Sequence, residues 1–173
     1  MKRQIVLITG ASGSGKTTVL KTLERMLPAE QIATYYFDSL GVPSLEEMIA
    51  EYGSPEQWQK AITEIWIEKL ALINEPKLLI LEGSFNPEFA VNALQNLGLT
   101  DYHLFCLHAE RDVREHRLIH DRQQPELANQ DMENFAQFLR RKTLELGGHI
   151  IKSPAIDSGF SAQQILNIVW AEN

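Results

Sequence analysis

Gln4-Ile5-Val6-Leu7-Ile8-Thr9, then Gly10-Ala11-Ser12-Gly13-Ser14-Gly15-Lys16-Thr17, then Thr18-Val19-Leu20-Lys21-Thr22-Leu23-Glu24-Arg25-Met26-Leu27: this order decides the fold. The first six residues are a short apolar run suited to a strand buried on both faces. The last ten set Val19, Leu20, Leu23, Met26 and Leu27 at helical spacing. Between them stands G-x-x-x-x-G-K-T, and strand, glycine loop, helix is the context that gives this spacing a mechanism. Glycines let the backbone curl so that successive N–H groups converge on an anion, and the helix N-terminus adds its partial positive charge. Lys16 supplies a mobile charge for outer phosphates, and the Thr17 hydroxyl can ligate the Mg2+ that accompanies them. A glycine-rich turn beside a solvated lysine would account for the composition but not for the flanks. Gly10, Ala11, Ser12, Gly13, Ser14, Gly15, Lys16, Thr17 and Thr18 are therefore expected to hold a nucleoside triphosphate.

The 173 residues fit a single domain, 1–173, long enough to bury a sizeable core. A formal net charge of −7 offers no basic surplus to cover nucleic-acid phosphates, which argues against that partner. The one cysteine, Cys106, lies in an apolar run, so there is no disulfide framework. The chain opens on a strand-forming run without a signal-peptide pattern, and no apolar stretch approaches membrane-spanning length. A soluble, cytoplasmic protein is the expectation; the oligomeric state is left open.

Strand and helix patterns alternate from there on. Ala33 to Phe37 reads as a strand running into the loop Asp38-Ser39-Leu40-Gly41-Val42-Pro43. Ser44 with Glu47 makes a capping box, and Ser54-Pro55 opens a long helix with Trp58, Ala61, Ile62, Ile65, Lys69 and Leu72 on or near one face. Lys77 to Glu82 is a third strand, and a helix from Asn86-Pro87 is ended by Gly98. Tyr102 to Leu107 is a fourth strand. Helices follow over 110–121 and 130–146, joined by a polar segment with Arg122 and Pro125. Gly147-Gly148 stops the second, His149 to Lys152 is a fifth strand, and Ser161 is expected to cap the last helix. Such alternation means a parallel sheet with right-handed crossovers.

Ligands of such sheets sit beyond the carboxyl ends of the strands. Three features fall there: the glycine loop, Asp38 after the second strand, and Glu82-Gly83 after the third. A carboxylate ending an apolar strand is costly without a partner, and Glu82 stands where phosphate-loop proteins hold an acid near Mg2+. Asp38 either caps the following turn or meets substrate. Arg111, Arg114 and Arg117 recur every third residue, with Arg122 beyond them. Cations stabilise transferring phosphoryl oxygens by position and charge. Arg111 and Arg114 instead read as a solvated face paired with nearby acids, and so does the Arg140-Arg141-Lys142 run.

Together with the glycine loop, Leu79-Ile80-Leu81-Glu82-Gly83 and Arg117-Leu118-Ile119-His120-Asp121-Arg122-Gln123-Gln124-Pro125-Glu126-Leu127 resemble the small P-loop kinases of the adenylate-, shikimate- and gluconate-kinase kind. Ile156-Asp157-Ser158-Gly159-Phe160-Ser161 resembles the loop that leads to their C-terminal helix and borders the adenine. The resemblance covers nearly the whole chain. It implies a three-layer α/β P-loop NTPase fold with a five-stranded parallel sheet and a short helical lid, here around 117–130. It implies ATP and Mg2+ as cofactors, with Lys16 on the β- and γ-phosphates and Thr17 on the magnesium. Arg117 would match the arginine at the start of the lid near the nucleotide, and Arg122 the lid arginine that closes on the phosphates. Asp38 matches the acid that meets the acceptor hydroxyl. Glu82 replaces the more usual Asp, leaving Mg2+ or substrate as its partner.

The expected activity is phosphoryl transfer from ATP to a small-molecule acceptor, a hydroxyl-bearing metabolite or a nucleoside or nucleotide, with Lys16, Asp38 and Arg122 as the catalytic set. Two alternatives differ in class: a nucleotide-dependent switch or ATPase working on a protein partner, and an RNA or polynucleotide-end kinase. The chain reads as too short for an AAA+ ring subunit with its added helical domain.

Overall fold

In the computed structural model, which describes residues 3–154 and 157–171, five strands alternate with seven α-helices among those residues. The strands are β1 (Gln4–Thr9), β2 (Ile32–Tyr36), β3 (Leu78–Glu82), β4 (Tyr102–His108) and β5 (His149–Lys152). The helices are α1 (Lys16–Met26), α2 (Leu45–Tyr52), α3 (Pro55–Leu72), α4 (Pro87–Asn96), α5 (Arg111–His116), α6 (Gln130–Glu145) and α7 (Ser158–Ala171). All strand pairs are parallel, in the order β2-β3-β1-β4-β5. β1 lies at the centre and every one of its residues is buried, as its unbroken apolar run requires.

Alternating side chains of the strands feed two cores. On one face Ile5, Leu7, Leu79, Leu81 and Leu104 meet α3 and α4 through Trp58, Ile62, Trp66, Ile67, Leu70, Val91 and Leu94. On the other, Val6, Ile8, Ile80, Phe105 and Leu107 meet α1 and α7 through Val19, Leu20, Leu23, Ile165, Leu166 and Val169. α6 lies against α4 and β4, on the α3 side. The expected three-layer α/β architecture is the observed one.

Several local expectations need correction. The buried stripe of α3 is Trp58, Ile62, Thr63, Trp66, Ile67 and Leu70, whereas Leu72 is 81% exposed and Ile65 39%. The stripe is rotated because the Trp66 indole turns inward to donate to the Phe37 carbonyl, 3.0 Å, which the apolar spacing alone does not register. The last helix begins at Ser158 rather than at Ser161. Asp157 Oδ1 accepts from the amides of Gly159 (2.8 Å) and Phe160 (3.3 Å), while the Ser161 hydroxyl is turned in to the Lys152 carbonyl, 2.8 Å. The helix expected over 110–121 is α-helical only to His116, and Arg117–Asp121 widens into a π turn. A 3-10 turn at Pro125–Leu127 then leads to Asn129, whose side chain caps α6 by accepting from the Met132 amide, 2.8 Å. The capping box at Ser44 and Glu47 forms in full.

Candidate active site

The loop after β1 is built by close packing. A Cβ on Gly10 would stand 2.5 Å from the Leu107 carbonyl oxygen, so only glycine lets the loop leave the sheet there. Gly15, in the left-handed region at φ 92°, turns the chain into α1, and a Cβ on it would meet the Ser153 hydroxyl at 2.9 Å. The Ser14 amide closes the turn on the Ala11 carbonyl, 3.1 Å. Gly10, Ala11, Ser12 and Ser14 thus shape the loop. Gly13, Gly15, Lys16, Thr17 and Thr18 line a cleft of about 340 Å3.

That cleft lies toward β4 and β5. Its far wall is Ser153, Pro154, Asp157 and Ser158, and its rim is Arg117, Asp121 and Arg122. The Arg117 guanidinium donates to the carbonyls of Gly13 (3.1 Å) and Pro154 (2.9 Å) and to the Ser153 hydroxyl (3.3 Å), tying the glycine loop to the segment after β5. Of the stretch expected to border the adenine, Ile156 lies outside the described residues, and Asp157 and Ser158 line the cleft. Arg122 is exposed at the rim, with its charge felt at Lys16 and Glu82.

Lys16 is buried and donates to the Gly10 carbonyl (2.8 Å), the Ala11 carbonyl (3.2 Å) and the Ser84 hydroxyl (3.1 Å). Burial lowers its pKa, and Glu82 opposes the shift. Glu82 is buried at the end of β3, with Oε1 accepting from the Thr17 hydroxyl at 3.4 Å and Oε2 without a partner. Burial raises its pKa against the pull of Lys16. Each is a charge held at a cost for want of enough opposite charge. An orphaned buried carboxylate oxygen beside a threonine hydroxyl suits a hard cation whose remaining ligands are phosphate and water. No cluster of three or more His, Cys, Asp or Glu suited to a metal exists among the described residues.

Asp38 lies on the other side of the loop, in a 3-10 turn after β2. It is exposed, and its carboxylate makes no hydrogen bond among the described residues. The turn is instead closed by the Ser39 hydroxyl on the Tyr36 carbonyl (2.7 Å) and by the Gly41 amide on the Asp38 carbonyl (3.0 Å). Turn-capping therefore does not account for its side chain.

Arg111 forms the expected surface pair with Glu115, 2.7 Å. Arg114 departs from the solvated face: it is 2% exposed, donates to the Ala109 carbonyl at 3.2 Å and pairs with Glu133 of α6. The sequence reading missed Ser84 and Gln59. Ser84 follows Glu82-Gly83, and its hydroxyl donates to the Gly10 carbonyl (2.9 Å) while accepting from Lys16. A hydroxyl just past the acid-ending strand was a usable signal. Gln59, an ordinary polar residue on a helix, gave none. Cys106 is buried and free, and burial pushes its thiol up to about 11, so it carries no charge near neutral pH.

No curated relative matches the sequence. Solved structures do share the fold. Shikimate kinase from Acinetobacter baumannii in complex with shikimate superposes at a TM-score of 0.67 and 16% identity, over 100% of this chain and 96% of its own. A gluconokinase from Sinorhizobium meliloti 1021 gives 0.65 and 16%, over 99% of each chain. APS kinase of Mycobacterium tuberculosis in complex with AMPPNP and APS gives 0.62 and 17%, over 98% of each. The architecture is thus that of the small P-loop kinases. A family model described as AAA domain matches residues 6–152, which is most of the sheet and every residue of the glycine loop. The chain belongs to the AAA domain family.

Proposed function

We propose that this protein transfers the γ-phosphoryl group of ATP to a hydroxyl of a small molecule bound beside Asp38. The acceptor oxygen forms a bond to the γ-phosphorus, the bond to the β-phosphate bridging oxygen breaks, and ADP leaves. The acceptor proton passes toward the Asp38 carboxylate. The observation that carries this is the split of the site around the glycine loop. The nucleotide-sized cleft lies toward β4 and β5, while an unpaired carboxylate stands on the β2 side.

Lys16 binds the outer phosphates, Arg117 braces the loop, and Arg122 adds positive charge at the rim. Thr17 and Glu82 would hold Mg2+, which supplies neutralisation of the β- and γ-oxygens. From Met26 to Gln59 the chain carries Glu30, Asp38, Glu46, Glu47, Glu51 and Glu56 and no lysine, arginine or histidine. The segment bordering Asp38 therefore offers no cation to an anionic acceptor and suits a neutral or amine-bearing hydroxyl compound. The small-molecule kinases that share the fold support an acceptor of metabolite size.

The test is Mg-ATP turnover against a panel of polyols, amino sugars, nucleosides and sugar acids, with each hit checked for a phosphorylated product. Lys16→Ala should lower turnover about 100-fold or more; substantial retained activity would contradict the site. Asp38→Asn should lower kcat about 100-fold while changing ATP affinity less than about twofold, because general-base loss acts on the chemical step. An unchanged kcat would remove Asp38 from the chemistry. The family description favours a second reading, an ATPase driven by a protein partner. Nucleotide hydrolysis stimulated by a partner, with no phosphorylated product from any acceptor, would select it.

A further inference from the structure

We propose that Gln59 of α3 is a positioning residue for the phosphate site, acting through Ser84 on the Lys16 ammonium. The inference rests on Lys16 binding a nucleotide's outer phosphates. Gln59 is half-buried, and its amide spans the loop after β3 at two points. Nε2 donates to the Ser84 carbonyl at 3.3 Å, and Oε1 accepts from the Asn86 amide at 2.8 Å. A side chain that satisfies both polarities one residue either side of Phe85 fixes the local backbone.

The rest of that loop is fastened to β1. The Gly83 amide donates to the Ile8 carbonyl at 3.1 Å, and the buried Thr9 hydroxyl donates to the Phe85 carbonyl at 2.7 Å. Ser84 lies between these fastenings, and its hydroxyl faces the glycine loop. There it donates to the Gly10 carbonyl at 2.9 Å and accepts from Lys16 at 3.1 Å. Lys16 has three ammonium protons, and the structure directs one to each of the Gly10 carbonyl, the Ala11 carbonyl and Ser84.

Of those acceptors, Ser84 belongs to a different element from the glycine loop. It is therefore the contact that sets where the ammonium stands relative to the rest of the site. Gln59 sets Ser84. The same glutamine sits on the helix whose N-terminal turn follows α2, so the segment bordering Asp38 and the phosphate-binding lysine share one polar link.

The experiment measures the affinity of the full chain for AMPPNP with Mg2+, and for adenosine by competition. Wild type, Gln59→Ala, Gln59→Glu, Ser84→Ala and the double variant Gln59→Ala/Ser84→Ala are compared. Loss of one hydrogen bond that orients a charged group should weaken AMPPNP about 5- to 10-fold in each single variant. Adenosine, which lacks phosphates, should bind unchanged. The double variant should be no weaker than the weaker single, because both act on one chain of contacts. Gln59→Glu keeps the acceptor for Asn86 and turns an oxygen toward the Ser84 carbonyl, so it should reproduce the loss. It also serves if Gln59→Ala does not fold. Unchanged AMPPNP affinity, strictly additive losses, or an equal fall for adenosine would each overturn the proposal. Wild type failing to bind AMPPNP would overturn the nucleotide site itself, a separate and recognisable result.

Discussion

Glu82 concentrates the energetics of the site in one side chain. One of its carboxylate oxygens reaches Thr17 and the other has no partner, and burial raises its pKa. A raised carboxyl pKa means that the folded chain binds the proton more tightly than the unfolded chain. Stability then falls as pH climbs from the ordinary carboxylate range through the raised value. Glu82→Gln removes that cost, so its ligand-free Tm should exceed that of wild type at pH 7. The gap should close as the pH is lowered toward the ordinary carboxylate range. The same variant should lose most Mg-dependent turnover. A gap that is constant with pH would show that Glu82 does not titrate in this way. That Lys16, Thr17 and Glu82 come together was legible, because residues of those types at that spacing are what phosphate chemistry asks for. Ser84 and Gln59 were not, because their roles depend on which loop carbonyls packing brings within reach.

Among the elements, α5 and α6 are joined by the pair of Arg114 with Glu133. It is a tie between helices rather than a surface ladder, and it sits behind the glycine loop: a Cβ on Gly13 would meet the Arg114 carbonyl at 2.8 Å. Arg114→Ala leaves the partly buried Glu133 without its charged partner, with Gln137 still donating to it. It should cost about 1–3 kcal/mol, read as a lowered urea midpoint. Replacing the pair with leucines should come out near neutral or stabilising by the same measurement. Helix starts were readable where a cap is local in sequence, as at Ser44 and Ser54. The start of α7 was misplaced because Ser161 looks like a cap but bonds across to β5. The stripe of α3 was misread because Trp66 obeys a partner on another element.

For the whole molecule, the order β2-β3-β1-β4-β5 turns a linear sequence into a two-sided site. The alternation of strands and helices made the parallel sheet legible; the acceptor was not, because the segment after β2 follows no pattern that chemistry dictates. No helix among the described residues is long and apolar enough to cross a membrane. A ligand that binds only the folded state stabilises it by mass action, about 2.7 kcal/mol at a hundred times its Kd. Mg-ATP should therefore raise the wild-type Tm by several degrees and leave that of Lys16→Ala nearly unmoved. Equal shifts in both would place nucleotide binding elsewhere.

β1 is buried along its whole length between two parallel neighbours, whereas β2 is an edge strand left half-exposed from Ala33 to Tyr36. The glycine loop hangs from the first and Asp38 from the second. In amide hydrogen exchange, the β1 amides should report the global unfolding rate and those of β2 a faster, local opening. The two halves of the site then keep different clocks: the cradle proposed for the donor lasts as long as the fold, while the side proposed for the acceptor opens and closes many times within that span.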